Sequence, residues 1–119
     1  MAAVPQDGIV RVTDLEIRPT EGLVVAGGRV MAMSSRELGV LAVLASRAGR
    51  TVSRAELCEL VWNRPLRDGD RSVDVYVHKV RAKLEDALPE WRFIHTHVGF
   101  GYRFAPESSQ QFHNQATRR

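Results

Sequence analysis

The chain has 119 residues, a net charge of +3 at neutral pH, 44% hydrophobic residues and 26% charged ones. That is enough for one domain around one core, and the basic balance favours an anionic partner. The longest apolar run, residues 38–45, is too short to span a membrane, residues 1–8 lack the pattern of a secretory leader, and the lone Cys58 excludes an intrachain disulfide; a cytoplasmic protein is expected.

Residues 1–8 read as a flexible N-terminus. Between about 9 and 33 come short strand-like runs, "IVRV", "LEI", "GLVVA" and "RVMAM", punctuated by Pro19, Gly22 and the pair Gly27-Gly28. The pair suits a tight hairpin, and a small antiparallel sheet with one covered face is expected. The period then changes. "SSRE" at 34–37 is a capping box, followed at helical spacing by Leu38, Leu41, Ala42, Ala45 and Ala48 up to Gly49. "SRAE" at 53–56 is a second box, opening a helix that carries Leu57, Leu60 and Val61 to Trp62 and is closed by Pro65. The polar loop 63–69 leads to a third helix, capped by Asp68 or Asp70, which runs to about Asp86 or Ala87 before Pro89. "RFIHTHV" and "YRFA", around Gly99 and Gly101, predict a closing hairpin. Residues 106–119 are polar, with Phe112 as their one large apolar group and Arg118 and Arg119 at the end, and read as a flexible tail. The expected domain is therefore 9–105.

The third helix carries the functional signal. Val73, Val77, Val80 and Leu84 fall on one stripe, bordered by Tyr76, and face a core. The opposite face holds Arg71, Ser72, His78, Lys79 and Ala82, with Val75 at its centre. A face made only for water would carry Lys, Glu or Gln at that centre. A helix fits the major groove of B-DNA, where Lys79 or His78 can donate to guanine and Val75 can lie against a thymine methyl. Arg71 and Ser72 stand at the first turn, where phosphates are met. Asp74 either accepts from a cytosine amino group or favours the helix N-terminus. The bland alternative is a three-helix bundle with a solvated basic face.

Other chemistries are less well served. "VGFGYRF" at 98–104 overlaps an RNA-recognition signature at Gly99, Phe100, Gly101 and Tyr102, but a glycine-bearing turn explains it better. His95 and His97 share one strand face without a third ligand at a recognisable spacing, and Cys58 sits among apolar helix residues as a core group would. No catalytic set, metal or cofactor is expected.

The run "SREL…GRTVSRAELCELVW…DRSVDVYVHKVRAKLED…FIHTHVGFGYRF" resembles the OmpR/PhoB-type winged-helix DNA-binding domain of bacterial response regulators, over about residues 14–105. The resemblance implies an α+β winged helix-turn-helix: an N-terminal four-stranded antiparallel sheet, three helices and a C-terminal β-hairpin wing. It implies sequence-specific binding of double-stranded DNA at direct-repeat half-sites, as a head-to-tail pair of chains, and contact with RNA polymerase through the loop 63–69. Apart from the resemblance, apolar residues largely used by one core and no sustained heptad seam predict a monomer when free. Carried over by position, Arg71, Ser72, Asp74, Val75, His78, Lys79 and Arg81 correspond to recognition-helix contacts. Arg54 and Trp62 correspond to phosphate contacts, and Thr96 and Tyr102 to backbone contacts around the wing. The chain departs from the family pattern at three places. Ser34-Ser35-Arg36 replaces a Thr-Pro-like helix entry, His78 stands where arginine is common, and Val98 replaces the wing arginine, leaving His97 as the nearby substitute. No receiver domain precedes the motif, so an excised effector fragment or a stand-alone regulator is expected. A winged-helix protein-interaction module with weak or non-specific DNA binding is the alternative.

Overall fold

The computed structural model describes residues 8–109. Four short strands come first: β1 (Val10–Val12), β2 (Leu15–Arg18), β3 (Leu23–Ala26) and β4 (Arg29–Met31), paired antiparallel in sequence order. Alternation puts Leu15, Ile17, Val24 and Ala26 on the buried face, as a half-covered sheet requires. Gly27 (φ 58°) and Gly28 (φ 81°) form the two-residue turn between Ala26 and Arg29, where positive φ at both places matches the strands' twist.

Helix α1 (Ser35–Ser46) starts on the expected capping box: Ser34 Oγ accepts from Glu37 N at 3.1 Å, and Glu37 Oε1 accepts from Ser34 N at 2.8 Å. Its buried stripe includes Val40 and Leu44 beside Leu38, Leu41 and Ala45, whereas Ala42 stays half-buried at the surface. The same Glu37 oxygen takes the Lys83 ammonium at 2.8 Å, so the cap also ties α1 to the third helix. Burial pushes the Glu37 carboxyl up, but Lys83 and the Ser34 amide outweigh it and hold the group below its ordinary range.

A strand that the periodicity does not show, β5 (Thr51–Val52), comes next. Helix α2 (Arg54–Leu57) opens on half a capping box: Ser53 Oγ accepts from Glu56 N at 3.0 Å, but the Glu56 carboxylate turns to Arg50 at 2.8 Å and Arg47 at 3.4 Å. The chain then widens into a π-helical turn, Cys58–Trp62, and stops at Asn63 with φ 61°. The helix thus ends two residues before Pro65, through a left-handed asparagine. Arg36 from α1 donates to the Val61 carbonyl in this turn at 3.2 Å.

Helix α3 (Ser72–Ala87) buries Val73, Val77, Val80 and Leu84, the expected stripe, and packs on α1 and the last sheet. Arg71 holds the cap position without a side-chain bond. Asp70 does the capping from one residue earlier, accepting from Ser72 N at 2.9 Å. Strands β6 (Trp91–His97) and β7 (Gly101–Ser108) form the hairpin, and β5 joins β7 on its other side, giving the order β5-β7-β6. Trp91 pairs with Ser108, and Ser109 N donates to Glu90 O at 2.7 Å. Ordered pairing therefore runs past the expected boundary at 105, and residues 106–108 belong to the hairpin. The rest of the expected tail, from 110 on, and residues 1–7 lie outside the described residues.

The core is one cluster. Phe93 and Phe104 stack with centroids 5.8 Å apart beneath α3, and Leu41, Leu44, Leu57, Ile17 and Leu15 close it from the other elements. Each such side chain contributes about 1.5–3 kcal/mol by leaving water. No helix among the described residues is long and apolar enough to cross a membrane.

Candidate nucleic-acid interface

The outer face of α3 is open along its length. Arg71, Val75, His78 and Lys79 are exposed on it, Val75 at 47%. Val75 stands bare among Arg71, His78 and Lys79, while Asp74 and Tyr76 on either side of it along the chain turn to the two flanks. The Arg71 side chain is 79% exposed and reaches Asp74 only at 4.0 Å. Ser72 is half-buried, its amide held by Asp70 and its hydroxyl 3.5 Å from Arg64. Lys79 lies with its ammonium 4.8 Å from the centroid of the Tyr76 ring. Tyr76 in turn meets Trp62 edge-on at 5.5 Å, and the Arg36 guanidinium sits 5.0 Å from the Trp62 ring. Trp62 thus belongs to a half-buried aromatic flank, with cations at both of its ends.

The other flank of α3 is a polar brace. Arg54 Nε and Nη2 donate to the two Asp74 oxygens at 3.0 and 2.8 Å, a paired fork, and Nη2 also donates to the Asp70 carbonyl at 3.1 Å. Tyr102 Oη donates to Asp74 Oδ1 at 2.5 Å. One carboxylate on α3 therefore binds α2 and β7 together. Burial pushes the Asp74 carboxyl up, but the bonds from Arg54 and Tyr102 and the Arg54 charge prevail and hold it below the ordinary aspartate value. Tyr102 is pushed up to about 12, first by burial and then by the adjoining carboxylate. Asp70, held by the Ser72 amide and by Arg64 at 2.6 Å, lies far below its usual range.

A second tie lies further along the helix. Arg81 Nη1 donates to Thr96 Oγ1 at 2.8 Å and sits 3.4 Å from the Ile94 carbonyl. Residues 74 and 81 are seven apart and so share one line of α3. Thr96 and Tyr102 are direct cross-strand partners, so both ties grip one rung of the wing, from β6 and β7 respectively. On the same hairpin, Arg103 Nε donates to His97 Nε2 at 3.0 Å, and His95 Nε2 lies 2.8 Å from the Ala105 carbonyl. Among the described residues no three His, Cys, Asp or Glu side chains converge as a metal set. Val98 at the tip is 88% exposed and packs under nothing.

The expected site residues thus divide by geometry. Arg71, Val75, His78 and Lys79 share an open face. Arg54, Asp74, Arg81, Thr96 and Tyr102 form the ties beside it, Trp62 lies on its aromatic flank, and His97 sits on the wing, bonded to Arg103. The braces escape sequence reasoning because Arg54 and Asp74 stand twenty residues apart, and Asp74 and Tyr102 twenty-eight.

A family model described as "Transcriptional regulatory protein, C terminal" matches residues 28–104. Among curated relatives, a probable transcriptional regulator, ycf27, of Porphyra purpurea is 36% identical over 103 residues, covering 85% of this chain and 42% of its own length. The phosphate regulon transcriptional regulatory protein PhoB of Shigella flexneri is 31% identical over 97 residues, covering 82% and 42%. The chain therefore spans about two-fifths of the length of these relatives. Among solved structures, the RstA DNA-binding domain of Klebsiella pneumoniae, in complex with the RstA box, superposes with a TM-score of 0.75 at 33% identity, over 83% of this chain and 98% of that one. DrrB of Thermotoga maritima, an OmpR/PhoB homolog, gives 0.70 at 33% identity, over 82% and 44%. With its sheet, three helices and hairpin in this order, the chain belongs to the OmpR/PhoB-type family of transcriptional regulatory protein C-terminal domains.

Proposed function

We propose that this domain binds double-stranded DNA sequence-specifically for a bacterial transcription regulator, with α3 in the major groove and the β6–β7 hairpin as a wing. The observation that carries the reading is the α3 face itself: basic, with an apolar side chain bare at its centre, on a helix fixed along its flank to α2 and the wing. A rigid helix with that chemistry suits base-edge readout. The likeness to a domain bound to its DNA box supports it. Within this reading Lys79, His78 and Val75 meet base edges, and Arg71 meets a phosphate. Arg54, Asp74, Arg81, Thr96 and Tyr102 set the angle between helix and wing. That differs from direct contact by Arg54 and Tyr102, since Arg54 Nε and Nη2 and the Tyr102 hydroxyl are already engaged. Two chains, monomeric when free, occupy direct-repeat half-sites head to tail. The loop 63–69, exposed at Asn63, Pro65 and the run Arg67, Asp68 and Gly69, is the segment offered to RNA polymerase.

Selection of bound duplexes from a random pool tests this, with a repeated half-site at about one helical turn as the expected yield. On the selected site, about six phosphate contacts give a log–log salt slope near −5. Lys79→Ala should relax base preference, whereas Arg71→Ala should weaken all sequences alike. Folded protein that shifts no duplex at low salt would end the proposal.

A further inference from the structure

Past the rung Thr96–Tyr102, the wing ends in Val98, Gly99 and Phe100. Val98 is 88% exposed and Phe100 77%, the two barest large apolar side chains among the described residues. A tip made only to be wet draws on Asn, Asp, Ser and Gly. This tip is also fixed in place. Gly101 has φ +142°, and a Cβ there would lie 2.0 Å from the Val52 carbonyl oxygen, so β7 presses directly on β5. Arg81 and Asp74 hold both strands one rung earlier. Val98 and Phe100 therefore project at a set distance from the open face of α3, with Arg54, His97 and Arg103 behind them. Arg54 and His97 share with the tip the walls of one shallow cleft.

We propose that Phe100, with Val98 beside it, is an apolar wedge that enters the minor groove next to the site of α3 and leans on an easily unstacked base step. The inference rests on the DNA-binding reading above and specifies what the wing does within it. An aromatic or aliphatic wedge between base pairs partly unstacks them and kinks the duplex. Pyrimidine–purine steps, TA and CA/TG, yield most readily. This wing then selects its flanking sequence by deformability, where a cationic tip would select by the charge of a narrow groove. The tip suits a protein partner less well. Two side chains bury at most roughly 400 Å², while a stable protein interface needs about 1,000 Å². A wedge needs only one ring.

The test uses the full chain on duplexes carrying the selected half-sites, flanked by either a TA step or an A-tract, with 2-aminopurine at the flanking step. Wild-type protein should raise the 2-aminopurine fluorescence on the TA flank and bind that duplex more tightly. Phe100→Ala should abolish the fluorescence rise and weaken binding about tenfold on the TA flank, with little change on the A-tract. Its salt slope should stay that of wild type, because an apolar contact releases no counterions. Phe100→Leu, which keeps an apolar wedge, should retain part of both effects. The melting temperature should not move, since the ring touches little of the fold. Equal affinity of wild type and Phe100→Ala on both flanks, with an unchanged fluorescence signal, would overturn the wedge while leaving DNA binding intact. Loss of chain–chain association in Phe100→Ala without a change in DNA affinity would assign the tip to a protein partner and overturn it too. Absence of any duplex binding by wild type at low salt would overturn the underlying reading and the wedge together.

Discussion

Asp74→Asn isolates the brace from the contact face. The carboxylate accepts two bonds from Arg54 and one from the Tyr102 hydroxyl. Asparagine keeps the shape and one carbonyl oxygen, enough for Tyr102, but turns an amide NH₂ toward the guanidinium and removes the charge. A hydrogen bond to a charged group contributes about 1.5–3 kcal/mol. The Arg54 side chain is 39% exposed, so water takes up part of what it loses, and the net cost falls near the lower end, about 2 kcal/mol. For a domain of this size that lowers Tm by roughly 8–16 °C, readable in a thermal melt at pH 7. Asp74→Ala should cost more, about 3 kcal/mol, because the buried Tyr102 hydroxyl then loses its acceptor as well.

The pH dependence gives the prediction a second edge. Because the folded state favours the ionised Asp74, its contribution is complete above the ordinary aspartate value near 4 and drains away as pH falls through the depressed one. The gap in stability between wild type and Asp74→Asn should therefore narrow as pH drops below about 4. On DNA, Asp74→Asn frees Arg54 for a phosphate and loosens the wing, so the ratio of specific to non-specific binding should fall while the salt slope steepens by about one unit. An unchanged Tm at pH 7, with a pH-independent gap, would show that the Arg54–Asp74–Tyr102 cluster fixes nothing.

Three further outcomes follow from the same geometry. Tyr102 is pushed up to about 12, so its neutral form is favoured by folding, and the stability this gives is full below pH 10 and lost as pH rises toward 12. Tyr102→Phe should flatten the decline of Tm across that window, and a decline identical to wild type would refute the assignment. Gly101→Ala places a methyl 2.0 Å from the Val52 carbonyl oxygen and should part β5 from β7, with a loss of about 3 kcal/mol in a denaturant melt. Val98→Arg meets no packing obstacle at 88% exposure, so Tm should hold. Affinity should rise most beside A·T-rich flanks, with the salt slope steeper by about one unit; unchanged binding would mean that the tip stays outside the groove.

What the sequence makes legible here is whatever a single element decides within itself. The α3 stripe, the Ser34 capping box and the Gly27-Gly28 turn each depend on residues within a turn or two of one another, and all three stand as the periodicity predicts. Strand β5 does not, because two residues carry no period. It exists through pairing with Tyr102 and Arg103, fifty residues on. Val98 shows the same limit at smaller scale: strand alternation sets its side relative to Thr96 and His97, but β6 ends at His97 and the rule ends with it.

The same division governs the site. The helical period identifies a basic face with a valine at its centre, and every residue on that face could reach DNA by its chemistry alone. Which of them remain available is decided by partners from other elements. Asp74 is offered a cytosine by its type and an arginine by its fold, and the arginine is 2.8 Å away. Once Asp74 takes Arg54 and Tyr102, and Arg81 takes Thr96, the polar groups on one flank are committed to holding the wing. Arg71, Val75, His78 and Lys79, with the small Ala82, are left facing outward. On the proposed reading, the charges that hold α3 at its angle are set apart from those that would read bases. Such a separation would let the braced flank hold the helix still while the open face meets base edges, so that a wrong base is not accommodated by a tilt of α3.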